Sequence, residues 1–220
     1  LAVIEDSAEV FGQCYKNRLC GSFGDISTFS FFPNKHITTG EGGMVLTDDE
    51  EIYEKLKKYR NLYFTENRFI HEDFGHNYRM TNLQASLGLA QIECIDKNLE
   101  KKLTIGKNYN EMLKSASSIR LPLKKTDYCK NIYWVYPIVI KDSKIKKKTF
   151  IDYLNSKGIG TRPFFFPMNL QPVIKKYGID QPGLDVSKKL YDSGFYIPSG
   201  LALSYEEQKY VSDTILEFIE

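Results

Sequence analysis

Two side chains in this sequence are placed to do chemistry on a carbonyl. Lys35 lies within "FSFFPNKHITTGEGGMVL", residues 29 to 46, between an aromatic, strand-like run and a turn of threonines and glycines. Asp6 closes the opening apolar run "LAVIED", which ends in two carboxylates, Glu5 and Asp6, and reads as a buried parallel strand delivering acidic side chains to a site. An amine delivered by a sheet to a place poor in water sheds its proton more readily and can attack a carbonyl carbon to form an imine. A carboxylate from a neighbouring strand end can face the far side of the same reactant.

Pyridoxal phosphate chemistry needs that pair: a lysine for its aldehyde, and an acid that keeps the pyridine nitrogen protonated so the ring can take up electrons. Ser30 and the small residues Thr38, Thr39, Gly40, Gly42 and Gly43 offer hydroxyl and backbone N–H donors for a phosphate. Residue types alone leave this open, because a strand-end aspartate also serves as a loop anchor and a lysine near glycines as a solvated cation.

Other chemistries find less support. There is no GxGxxG or Walker loop, no G-x-S-x-G elbow, and His36, His71 and His76 form no ligand or nucleophile pattern. Cys14, Cys20, Cys94 and Cys129 are scattered, which favours reduced packing thiols over a metal site or a disulfide framework. With 30 basic against 28 acidic residues, no net field points to nucleic acid or membrane as partner. The run Lys144 to Lys148 reads as the wet face of a helix. Lacking a long apolar span or a signal-like start, the chain is expected to be soluble and cytoplasmic. It opens without Met inside what reads as a buried strand, so it is expected to begin within a domain.

The elements that must position these groups follow an α/β pattern. Strands are predicted at the opening, at "ISTFSFF" (26 to 32) and in "GGMVLTDD" (42 to 49), then a helix capped by Asp48 or Asp49 and running to about Tyr63. A loop over 64 to 80 precedes one long helix from Thr81 toward Leu113, with an apolar stripe through Leu83, Leu87, Ala90, Cys94, Ile95 and Leu99. Beyond residue 115 come a strand at "IYWVYPIVI" (132 to 140), a basic helix over 144 to 158, an edge strand in "TRPFFFP", two short helices, and a last helix boxed by Ser204 and Glu207. The expected domains are residues 1–100 and 101–220.

The segments "VIEDSAEVFG", "GSFGDISTFSFFPNKHITTGEGGMVLTDDEE", "GHNYRMTNLQASLGLAQIE" and "TRPFFFPMNLQPV" resemble, in order and spacing, the DegT-type sugar-nucleotide aminotransferases, in particular their perosamine synthase branch. The resemblance implies the PLP-dependent transferase type I fold. Residues 1–100 would be the C-terminal part of the large, mostly parallel sheet domain, and 101–220 the small α/β C-terminal domain. It implies pyridoxal 5'-phosphate as cofactor, a homodimer with shared active sites, and transfer of an amino group from an amino acid, glutamate foremost, to a nucleotide-linked ketosugar destined for O-antigen or related polysaccharide.

By the same resemblance Lys35 matches the cofactor-bonded lysine, Asp6 the acid at the ring nitrogen, Glu9 the residue beside the ring hydroxyl (Gln in many members), and Ser30 a phosphate-binding hydroxyl. Asn77 matches a residue reaching the partner subunit's phosphate, and Arg79, Arg162 and Asn169 are candidate nucleotide-sugar contacts. His76 stands where Tyr is common, and Asn169 where His often is. A dehydratase branch carries His in place of the lysine; Lys35 favours the transaminase branch over it, and the intact site residues favour an enzyme over a non-catalytic module. An N-terminal half with a further phosphate-binding turn and a ring-stacking aromatic is also implied. The sequence is therefore expected to be a piece of a longer enzyme that alone binds cofactor poorly.

Overall fold

The computed structural model describes residues 1–67, 69–178 and 183–220. The chain divides into two compact units, the first built from Leu1–Glu100 and Lys125–Trp134, the second from Lys101–Lys124 and Val135–Glu220.

In the first unit, β1 (Ile4–Asp6) pairs in parallel with β4 (Ile26–Ser30), which pairs antiparallel with β5 (Gly43–Leu46). A small antiparallel ribbon, β2 (Cys14–Tyr15) and β3 (Arg18–Leu19), lies between β1 and β4 in sequence. α1 (Glu50–Arg60) starts at Asp49, whose carboxylate accepts from the Ile52 N–H; Glu50 and Glu51 open the helix and Lys57, Lys58 and Arg60 close it, as the helix dipole favours. Residues 61 to 80 form a loop with isolated bridges Asn61 to Asn77 and Phe64 to His71; position 68 of the predicted loop lies outside the described residues.

Two expectations are corrected here. The opening run is not buried: Val3 and Ile4 are exposed, and among the described residues β1 pairs with β4 alone. The predicted long helix is two, α2 (Asn82–Ile92), boxed at its start by Thr81 and Gln84, and α3 (Ile95–Met112). Between them the Cys94 N–H bonds to the Gln91 carbonyl, a tightened i to i+3 turn that breaks the α ladder. The apolar stripe of α2 is exposed, with Leu83 at 84% and Leu87 at 45%.

The second unit has its own core. An antiparallel sheet runs in the order β6 (Ile119–Arg120), β7 (Tyr136–Ile140), β9 (Gly194–Ile197), β8 (Arg162–Pro163); α4 (Lys147–Ser156) meets it through Phe150 on Phe195 and packs on α7 (Tyr205–Ile219). Two short helices, α5 (Pro172–Lys176) and α6 (Asp185–Ser193), precede β9, and the predicted Ser204 and Glu207 box starts α7. Tyr109, Tyr136, Phe150 and Phe195 are fully buried, each worth roughly 1.5–3 kcal/mol of apolar burial. Pro163 sits on the edge strand, where a missing N–H breaks no ladder.

Within that core α3 anchors the segment after β9. The Tyr109 hydroxyl donates to the Pro198 carbonyl at 2.8 Å, and the buried Lys102 amine donates to the Ser199 carbonyl at 2.6 Å. Burial pushes the Lys102 ammonium down from 10.5 to about 8, one carbonyl replacing only part of its lost hydration. Below the folded value the native state carries the full cost of a buried charge; above the unfolded value it carries none. Stability should therefore rise as pH increases from about 8 to 10.5. Thermal unfolding across that window checks it, with Lys102→Met expected to flatten the rise.

Candidate active site

Parallel pairing places Asp6 opposite Thr28, so the C-terminal ends of β1 and β4 coincide, with Ser30 two residues further on. Open α/β sheets present their ligand sites at such ends. Directly after β4 the chain turns, the Lys35 N–H bonding to the Phe32 carbonyl at 3.0 Å. Phe31 and Ile37 are buried on either side, which pins the turn by its flanks and leaves the lysine to be aimed.

The small residues behind Lys35 close that turn. The Phe31 carbonyl accepts from the Thr38 hydroxyl at 2.8 Å and from the Thr39 N–H at 3.0 Å, while the Thr39 hydroxyl donates to the Glu41 carbonyl at 2.6 Å. Gln91 of α2 accepts from the Thr38 N–H at 2.9 Å, tying the helix to the turn. The two threonine hydroxyls offered above as phosphate donors are thus committed to the loop itself. Ser30 is less committed: its hydroxyl oxygen accepts from the Phe32 N–H at a long 3.3 Å.

The Lys35 amine meets the Glu9 carboxylate at 3.0 Å; the lysine side chain is 11% exposed and that of Glu9 39%. Opposite charges at this distance, one of them nearly out of water, make a pair ready to be exchanged for a ligand's groups. Asp6 holds the Ala8 N–H at 3.1 Å, and among the described residues no cation lies within salt-bridge reach of it. An exposed carboxylate with one backbone contact can accept a ring N–H, so Asp6, Glu9, Ser30 and Lys35 fit a phosphorylated pyridine aldehyde in the types of group they offer.

The remaining predicted residues make contacts of their own. Asn77 and Arg79 are exposed and both engage Asn61 just past α1: Asn77 through a backbone bridge, Arg79 through a 2.9 Å bond from its guanidinium to the Asn61 side-chain oxygen. In the second unit Arg162 is exposed on β8 opposite Tyr196, and Asn169 is half-buried in the 3-10 turn Met168–Leu170.

Sequence reasoning misassigned Glu5 and missed Trp134. The opening run does not deliver two carboxylates to the site: Glu5 points back to the turn before β4, accepting from the N–H groups of Gly21 at 2.6 Å and Phe23 at 2.8 Å. Trp134 stands over the Lys35 amine, 4.4 Å from it to the ring centroid. It lies before the strand predicted to contain it, since β7 begins only at Tyr136. A lone tryptophan in an aromatic run carries no local signal of that contact.

Comparison with known proteins adds to this geometry. The model of the DegT/DnrJ/EryC1/StrS aminotransferase family matches residues 1–216. The chain belongs to that family. A GDP-perosamine synthase of Escherichia coli O157:H7 is 37% identical over 99% of the chain and 58% of its own length. Among solved structures, Helicobacter pylori PseC, an aminotransferase of pseudoaminic acid biosynthesis, matches all of the chain and 60% of its own at 26% identity with a TM-score of 0.90. A GDP-4-keto-6-deoxymannose-3-dehydratase, ColD, shares the fold at 23% identity and a TM-score of 0.87. The fold is accordingly the type I fold of the pyridoxal-phosphate-dependent transferases. The DegT-family chain described here spans a little under two thirds of the length of these relatives.

Proposed function

We propose that this chain carries the lysine-bearing part of a pyridoxal 5'-phosphate-dependent aminotransferase that moves an amino group from an amino acid, glutamate foremost, to the keto carbon of a nucleotide-linked 4-keto-6-deoxysugar. The observation that carries the reading is the Lys35–Glu9 pair at the C-terminal end of β4, 3.0 Å apart and largely withdrawn from water on the amine side. The family and the perosamine synthase relative support the substrate class.

Bound pyridoxal phosphate supplies an aldehyde for attachment and a protonated ring that withdraws electrons from the carbon being aminated. Lys35 would hold the cofactor through that aldehyde and, once freed by the incoming donor amine, would carry the proton between the carbons flanking the nitrogen. Asp6 would hold the ring nitrogen's proton, Glu9 would serve the ring hydroxyl, and Ser30 would donate its O–H to the phosphate. Asn77 reaches the phosphate of a second copy in a homodimer, and Arg79, Arg162 and Asn169 hold the nucleotide sugar. The enzyme works in the cytoplasm, and the aminated sugar feeds O-antigen or a related polysaccharide.

The protein expressed from its complete reading frame, given pyridoxal phosphate, glutamate and a panel of nucleotide 4-keto-6-deoxysugars, should convert at least one to an amino sugar seen by mass spectrometry. A product that has lost water without gaining nitrogen would assign it to the dehydratases, whose fold it shares. No product from any sugar, with no glutamate-dependent bleaching of the visible band, would overturn the reading.

A further inference from the structure

Residues 125–134 return to the first unit from a hundred positions downstream of the lysine turn. Their docking is built from several contacts. The Lys16 N–H donates to the Tyr128 carbonyl at 2.8 Å, Tyr15 and Tyr128 lie with ring centroids 5.3 Å apart, and Thr126 and Cys129 close a tight turn through a 2.8 Å backbone bond.

Beyond that turn the Asn131 side chain accepts from the Tyr133 N–H at 2.8 Å, and Tyr133 takes φ +51° while buried to 4% exposure. A left-handed backbone is unfavourable for a bulky aromatic residue and persists only where its surroundings enforce it. The left-handed residue directly precedes Trp134, whose ring faces Lys35, and β7 begins only at Tyr136.

Trp134 then makes two contacts of different kinds. Its indole N–H donates to the Asn34 carbonyl at 2.8 Å, holding the peptide unit that leads into Lys35. Its ring face covers the Lys35 amine at 4.4 Å, while the Glu9 carboxylate takes another approach to it at 3.0 Å. A face with no hydrogen-bonding atoms restrains the amine without competing for its N–H bonds or lone pair.

We infer that Trp134 is a positioning residue for Lys35: the indole N–H fixes the turn, and the ring caps the amine so that it stays aimed at its carbonyl partner and shielded from other electrophiles. This rests on the role proposed for Lys35, but part of its test does not.

The test labels the purified protein with trinitrobenzenesulfonate, an amine-specific reagent, and follows each lysine by peptide mass spectrometry. In Trp134→Leu, labelling of Lys35 should accelerate roughly 3- to 30-fold, the range set by loss of one cation–π contact, while the other lysines keep their rates. In parallel the visible band formed on adding pyridoxal phosphate should grow in more slowly. Trp134→Phe, which keeps a ring face but lacks the N–H, should fall between wild type and Trp134→Leu in both. Unchanged Lys35 labelling in Trp134→Leu, or equal acceleration at every lysine, would overturn the inference.

Should Trp134→Leu fail to fold, Lys35→Met keeps the question decidable, because Trp134 is the only tryptophan in the sequence. Its fluorescence should shift when the charge over its face is removed, and an identical spectrum would overturn the inference. Wild-type protein that labels as expected yet takes up no pyridoxal phosphate at Lys35 would instead defeat the proposed function and leave the Trp134 cap standing.

Discussion

Lys35→Ala should leave a folded protein that develops no visible band with pyridoxal phosphate and has lost transaminase activity by at least about 10²- to 10⁴-fold, the share of a positioned proton carrier alone. The structural cost is small. The ion pair it removes leaves a Glu9 side chain that is 39% exposed and free to rehydrate, and pairs of that kind are worth about 1 kcal/mol or less. The two readouts therefore separate: melting temperature nearly constant, attachment all or none. Lys35→Arg sharpens the result, since guanidinium retains the charge facing Glu9 and the cation over Trp134 but cannot condense with an aldehyde. Arginine should match the melting of wild type and the spectrum of the alanine variant. A visible band that persists in either variant would mean that another amine holds the cofactor.

What could be read from the sequence was what local chemistry decides. Asp49 and Ser204 announce the starts of α1 and α7 because a cap needs only residues three apart, and the charge order of α1 follows from its own dipole. Strands β4 and β5 flank the lysine turn in a short antiparallel hairpin, so their placement too was written in adjacent residues. Lys35 stood out as a candidate because an aromatic, strand-like run leads into it and small residues follow it.

What could not be read was decided at a distance. The exposure of β1 and α2 depends on what packs on them, which no periodicity reports. The break at Cys94 leaves the apolar stripe intact and so is silent in the pattern. Trp134 acts across a hundred residues through a left-handed Tyr133, a conformation that an aromatic run gives no reason to expect. Glu5 and Asp6 read as two equivalent carboxylates, yet alternation along β1 sends them to opposite faces, one to the site end of the sheet and the other to the turn before β4.

That second carboxylate carries the last prediction. Glu5→Ala should lower stability by about 3 kcal/mol, as two short N–H bonds to a charged acceptor are lost, the one from Gly21 part-buried. For a chain of this size that is a fall in melting temperature of roughly 6–12 °C. The turn cannot adapt by shifting, because Gly21 sits at φ +91° against Phe29, whose ring carbon would lie 2.2 Å from a Cβ there. Start and centre of β1 are held together, since the Asp25 carboxylate accepts from the Val3 N–H at 2.7 Å while Glu5 holds the turn. Acid gives an independent check. Burial pushes the Glu5 carboxyl up, but the N–H groups of Gly21, Phe23 and Gly24 outweigh it and hold the group below its ordinary 4.5. A folded value below the unfolded one adds stability that is complete above about pH 4.5 and disappears as pH falls through the folded value. Glu5→Gln has no such proton to gain, so its deficit against wild type should be largest near neutrality and narrow in acid. A deficit that stays constant with pH, or a Glu5→Ala melting temperature equal to wild type, would show that the turn holds β4 in place without this carboxylate.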